Sequence, residues 1–263
     1  MSRSSRSSGL VATSEVLVTR SAGIGRIVLN RPEAMNAITV ALGRELERAV
    51  RRLADEARVI VIRGAGGNFC VGGDFRELER LRGAGEAALA ELFDNFRAAC
   101  EAVREVPVPV VAAVEGNAMA GGFELMQACD IAIVADDARL ADNHSNFGQV
   151  PGGGGSQRLP RIVGRQRALG HMLTGDRLTG SEAAAWGLAY RAVPTGELET
   201  TVDELAATLA GKAPAALRRI KHLVDAGLER SLSDGLELER ATVLEHLRDA
   251  SAAEGIEAFK ARA

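Results

Sequence analysis

Two glycine pairs stand where short apolar runs end: Gly72-Gly73, followed by Asp74, and Gly121-Gly122, followed by Phe123 and Glu124. Glycine lets a backbone amide approach a ligand closely, and Gly121 opens a helical pattern, where an unpaired N–H is a ready donor to an anion. If both pairs face one cleft, the amides of Gly73 and Gly121 form an oxyanion hole, in which each donor is worth roughly 3 to 4 kcal/mol. If they do not, they are tight turns. Glu124 lies three positions beyond Gly121, one helical turn along, beside the anion site. There its carboxylate is a general acid or base, or else a first-turn charge complementing the helix dipole. Neither glycine pair matches G-x-G-x-x-G or the phosphate-binding loop, which argues against dinucleotides and nucleoside triphosphates.

The elements that must position these residues can be read from patterning. Residues 25–29, 59–62, 110–114 and 131–134 are short apolar runs, read as strands. Thr39 caps a helical pattern through Leu42, Leu46, Ala49, Val50 and Leu53, and a second helix covers 89–103 before Pro107 and Pro109 break it. Strands separated by helices predict an α/β core. Residues 1–14 are Ser/Arg-rich and read as a disordered tail, 15–196 as the core, and 197–263 as a helical region with helices near 205–209, 216–228 and 236–247. Residues 75–100 are too irregular to place as the wall of a substrate pocket.

The 263 residues are 46% hydrophobic and 25% charged, with a net charge of −3, values of a globular protein with ample core. The mixed charge favours neither nucleic acid nor a membrane as partner, so a small molecule is expected. Neither a spanning apolar run nor a signal-peptide pattern is present, which predicts a cytoplasmic protein. Cys70, Cys100 and Cys129 are widely spaced and read as inert buried thiols, with no metal site.

The segments IVLNRPEAMNAI, VIVIRGAGGNFCVGGDF, VPVVAAVEGNAMAGGFELMQACDIAI and FGQVPGGGGSQRL occur in an order and spacing that resembles the crotonase superfamily, whose archetype is enoyl-CoA hydratase. The resemblance runs from about Glu15 to the C-terminus. It implies a crotonase-like spiral of ββα units with a C-terminal helical trimerisation region, assembled as a homotrimer or a homohexamer. It further implies an acyl-CoA substrate whose thioester oxygen is held by the amides of Gly73 and Gly121, with no cofactor beyond the coenzyme A moiety. By the same resemblance the coenzyme A runs along Cys70, Gly72, Asp74 and Arg76, with Arg262 reaching it from a neighbouring subunit.

Glu124 matches the first of the two glutamates that hold water in enoyl-CoA hydratases. Counting back from the G-x-x-P-G of residues 148–152, the second is replaced by His144. Imidazole titrates near neutrality and can move protons, but it offers one nitrogen of each kind where a carboxylate offers two oxygens. Alternatively His144 only lines the acyl pocket. Asp142 is a spare acid beside it, and Asn143 is a further neighbour; His171, His222 and His246 read as surface or interface residues. Three functions follow. The first is hydration or isomerisation of a 2-enoyl-CoA, and the second hydrolysis of a C–C bond in a β-dicarbonyl substrate, which the acid-free loop 151–155 disfavours. The third is acyl-CoA binding without turnover.

Overall fold

A computed structural model describes residues 14–249 of the chain. It opens with an antiparallel pair, β1 (Val16–Ser21) and β2 (Ile24–Leu29). Helix α1 (Val40–Glu56) follows, its first turn capped by the Thr39 side chain, which accepts from Leu42 N–H. Its apolar stripe, Leu42, Leu46, Ala49, Val50 and Leu53, is buried. Strand β3 (Val59–Gly64) leads to α2 (Phe75–Ala84) and α3 (Glu86–Glu105). Next come β4 (Val110–Val114), β5 (Asn117–Met119) and α4 (Gly121–Ala128). The following turn is β6 (Ile131–Ala135), β7 (Arg139–Ala141), α5 (Gly155–Val163) and α6 (Arg165–Thr174). Two short strands, β8 (Leu178–Thr179) and β9 (Arg191–Val193), flank α7 (Gly180–Ala185). The described chain closes with α8 (Leu198–Ala210), α9 (Pro214–Gly227) and α10 (Leu232–His246).

The larger sheet runs β1-β2-β3-β4-β6-β9 and is parallel from β2 onward. Its central strands read as unbroken apolar runs because both faces are covered; every residue of β4 is buried. The smaller sheet runs β5-β7-β8, and an isolated bridge adds Cys70 beside Ala118 on its other side. In the three middle turns, β3 with Cys70, β4 with β5 and β6 with β7, the chain lays one stretch in the large sheet, the next in or beside the small one, and returns through a helix. The expected ββα recurrence takes this form.

That recurrence builds the site. Cys70 pairs with Ala118, and Ala118 with Leu140, so three successive turns are in register. Three residues beyond each lie Gly73, Gly121 and Asn143, which places the two glycines and the segment 142–144 side by side at one end of the small sheet.

Beyond residue 197 the structure divides differently from the sequence reading. Helix α8 buries Leu198, Val202, Ala206 and Ala210 against the large sheet and belongs to the core. Helices α9 and α10 bury no residue and pack chiefly on each other. Pro214 opens α9 at a position where its missing N–H costs nothing. The stretch 75–100 is helical throughout but for one break, and the helix expected at 89–103 is part of α3. Asp74 caps α2 through the amides of Arg76 and Glu77, and Gly85 with φ +106° separates it from α3. No helix among the described residues is long and apolar enough to cross a membrane.

Candidate active site

A cleft of about 890 Å³ opens at the end of the small sheet, and Gly73, Gly121, Glu124, Asn143 and His144 all line it. The Gly73 N–H makes no backbone hydrogen bond among the described residues, since the bridge to Ile38 uses the Gly72 carbonyl and the Asp74 amide. Gly121 is the first residue of α4, so its N–H has no partner within the helix. Ala120, just before it, holds φ +47° and ψ −117°, a conformation L-residues rarely adopt. Gly122, just after Gly121, packs so closely on Cys70 that a Cβ would overlap its carbonyl oxygen. Two residues whose amides have no backbone partner among the described residues thus line one cavity.

Glu124 is 2% exposed and is fixed by a third glycine-rich segment. Its Oε1 accepts from the amides of Gly153 and Gly155 at 2.9 and 2.8 Å. Oε2 remains for the cleft. Loop 151–155 needs its glycines here, because a Cβ on Gly153 would overlap the Phe96 ring and stand 2.9 Å from Glu124 Oε2. Burial pushes the Glu124 carboxyl above its ordinary range, against the pull of the Gly155 amide and of His144.

His144 stands opposite, its Nε2 3.9 Å from Glu124 Oε2. Points so separated can both bond one water at ordinary hydrogen-bond lengths. Its Nδ1 meets Asp142 Oδ1 at 2.6 Å. Burial opposes the charged imidazole, but the Asp142 hydrogen bond and the charges of Asp142 and Glu124 prevail and raise its pKa. Asp142 does not line the cleft; it is 1% exposed and sits behind the imidazole, so the spare-acid reading gives way to a contact with His144.

The remaining expected positions fall in different places. Cys70 and Gly72 lie beneath the cleft and do not line it. The Cys70 amide and carbonyl are spent on Asn117 and Met119, the Gly72 carbonyl on Ile38 N–H, and burial pushes the Cys70 thiol up to about 12. Asp74 does line the cleft, but its carboxylate caps α2 and pairs with Arg31 at 2.9 Å. Arg76 is exposed on the cleft wall, and Arg262 lies outside the described residues. His171 is not a surface residue. It is 4% exposed, packed against Phe123 and Trp186, and its Nε2 accepts from Asp142 N–H at 3.0 Å. Among the described residues no group of three or more His, Cys, Asp or Glu is placed to hold a metal ion.

With this geometry in view, the chain belongs to the enoyl-CoA hydratase/isomerase family, whose profile matches residues 19–263. It is 36% identical over 246 residues to the Mycobacterium bovis protein named probable enoyl-CoA hydratase echA8, covering 93% of this chain and 94% of that one. It superposes on an enoyl-CoA hydratase crystal structure from Polaromonas sp. JS666 with a TM-score of 0.91 at 30% identity, covering 94% and 97%. A Thermobifida fusca relative solved with acetoacetyl-CoA gives a TM-score of 0.81 at 32% identity, covering 89% and 95%. The architecture is therefore the crotonase fold, and the protein is an enzyme of this family.

Proposed function

We propose that the protein adds water across the double bond of a 2-enoyl-CoA thioester, and catalyses the reverse elimination. The observation that carries this reading is the 3.9 Å gap between Glu124 Oε2 and His144 Nε2, in the cleft that both Gly73 and Gly121 line. The thioester oxygen accepts from the two amides, and charge developing on it is met by donors already in place. Water held between Glu124 and His144 attacks Cβ. One of its protons passes to that pair, and Cα takes a proton from the same pair as the enolate collapses. No cofactor beyond the coenzyme A moiety is required. Arg76, exposed on the cleft wall, is suited to a phosphate of that moiety.

Loss of the conjugated enoyl absorbance on adding a 2-enoyl-CoA tests the proposal. No change across short, medium, branched and aryl substrates would sink it.

One observation favours a second reading, hydrolysis of a C–C bond in a β-dicarbonyl compound. Asp142, 2.6 Å from His144 Nδ1, supplies the carboxylate that loop 151–155 lacks, and a histidine so paired is a strong base for water. A chain-cleaved acid product would identify that reaction.

We further propose assembly as a homotrimer or homohexamer through α9 and α10. In support, Ile220, Val224, Leu228, Leu232 and Leu236 are all exposed there. The cytoplasm remains the proposed compartment; Cys70, Cys100 and Cys129 are all unpaired, as a reducing environment would leave them.

A further inference from the structure

We propose that Asp142 is a positioning residue for this reaction: its buried carboxylate fixes His144 with the proton on Nδ1 and leaves Nε2 to meet water. The inference rests on the reading of Glu124 and His144 as the acid/base pair.

The case begins with what Asp142 does not do. Its side chain makes one polar contact, Oδ1 to His144 Nδ1 at 2.6 Å, while Oδ2 is buried with no partner. A carboxylate buried to hold a fold together is normally saturated with donors, because each unpaired oxygen costs free energy. This one caps no helix and crosses to no other element. A Cβ on Gly155 would stand 3.0 Å from Oδ2, so the neighbouring chain leaves room for the carboxylate and offers it no donor.

The backbone of Asp142, by contrast, is anchored. Its N–H donates to His171 Nε2 at 3.0 Å, with Phe123 and Trp186 packed on that imidazole. Since Nε2 accepts, His171 is neutral with its proton on Nδ1, and burial holds its pKa low in agreement. His171 thus fixes where Asp142 stands, and Asp142 fixes how His144 is turned. With Nδ1 committed to donate, the neutral ring presents a lone pair at Nε2 towards Glu124 Oε2.

The charged groups facing His144 are few. Asp142 approaches from the end of β7 and Glu124 from α4; the loop before α5 and the first residue of α5 contribute the Gly153 and Gly155 amides to Glu124, and α6 contributes neutral His171. Arg158 is turned to the Gly153 carbonyl.

Ring-labelled histidine resolves the question by NMR, because the chain has only 4 histidines and His144→Gln assigns the signal. In the native protein the neutral His144 ring is expected to carry its proton on Nδ1. In Asp142→Asn, which keeps the volume and removes the charge, the His144 titration should move to lower pH. For a 2-enoyl-CoA that the native enzyme hydrates, kcat should fall on the order of a hundredfold or more, with KM within about threefold. A native ring protonated on Nε2, an unmoved titration, or an unmoved kcat would overturn the inference. Should the native protein hydrate no enoyl-CoA, hydration fails as a reading. The two NMR measurements still decide what Asp142 does.

Discussion

Lys221 reaches from α9 into the core and closes on Asp130 Oδ2 at 2.8 Å. Its ammonium also donates to the carbonyls of Val103 and Val108 at 3.0 and 3.2 Å, and Asp130 accepts in addition from Val110 N–H at 2.7 Å. This one side chain ties a helix with no buried residue to the ends of α3 and β4.

The tie has a pH signature. Burial pushes Asp130 from 3.8 up to about 6, against the pull of Lys221. Between those values the folded state keeps a proton that the unfolded state has lost, so this group's contribution to stability falls as pH rises through the window. In Lys221→Met the charged carboxylate is left buried without its cation, a loss of about 3 kcal/mol where it is ionised. Urea unfolding at about pH 8 should show most of that loss, and at about pH 5 much less, because Asp130 is then neutral. Equal losses at both would contradict the assignment.

Glu124→Gln should lower kcat by about a thousandfold while acyl-CoA binding persists. The amides of Gly153 and Gly155 can still donate to the glutamine Oε1, so the loop should hold its place. Steady-state kinetics beside a direct binding measurement separates the two effects. A variant that also lost binding would point to a collapsed loop.

Ala120→Gly tests the strained turn before α4. Relief of φ +47° is worth 1 to 3 kcal/mol, and glycine's freedom in the unfolded chain returns up to about 1. The variant should therefore be more stable by about 1 kcal/mol in thermal unfolding. A less stable variant would mean that the Ala120 methyl, packed near Gly72, contributes more than the turn costs.

Arg76→Ala should raise KM for acyl-CoA by about tenfold with kcat nearly unchanged, and added salt should narrow the difference. An unaltered KM at low salt would remove Arg76 from coenzyme A recognition.

Much of this fold and site is legible in the sequence. The strands at 59–62, 110–114 and 131–134 announce themselves because two covered faces demand continuous apolar residues, and Thr39 marks the start of α1. Strands β5, β7, β8 and β9 do not, since two or three residues carry no period. Helix α2 stayed hidden because it buries only Leu81. At the site, the glycines and Glu124 form a local pattern, and His144 stands out through resemblance. The sequence shows Asp142 as an acid near the cleft, but its place behind the imidazole follows from the register of β7 on β5. The burial of His171 follows from Phe123 and Trp186 closing over it, which no helical periodicity reports.

The bare flank of α9 and α10 has a consequence for any measurement on this enzyme. Leu228 is 75% exposed and Leu232 80%, side chains that water disfavours and that a second copy of the chain could cover. If association covers them, folding and assembly share one equilibrium, and dilution acts as a denaturant. The melting temperature would then climb with protein concentration, and the stability of a single chain would have no value of its own.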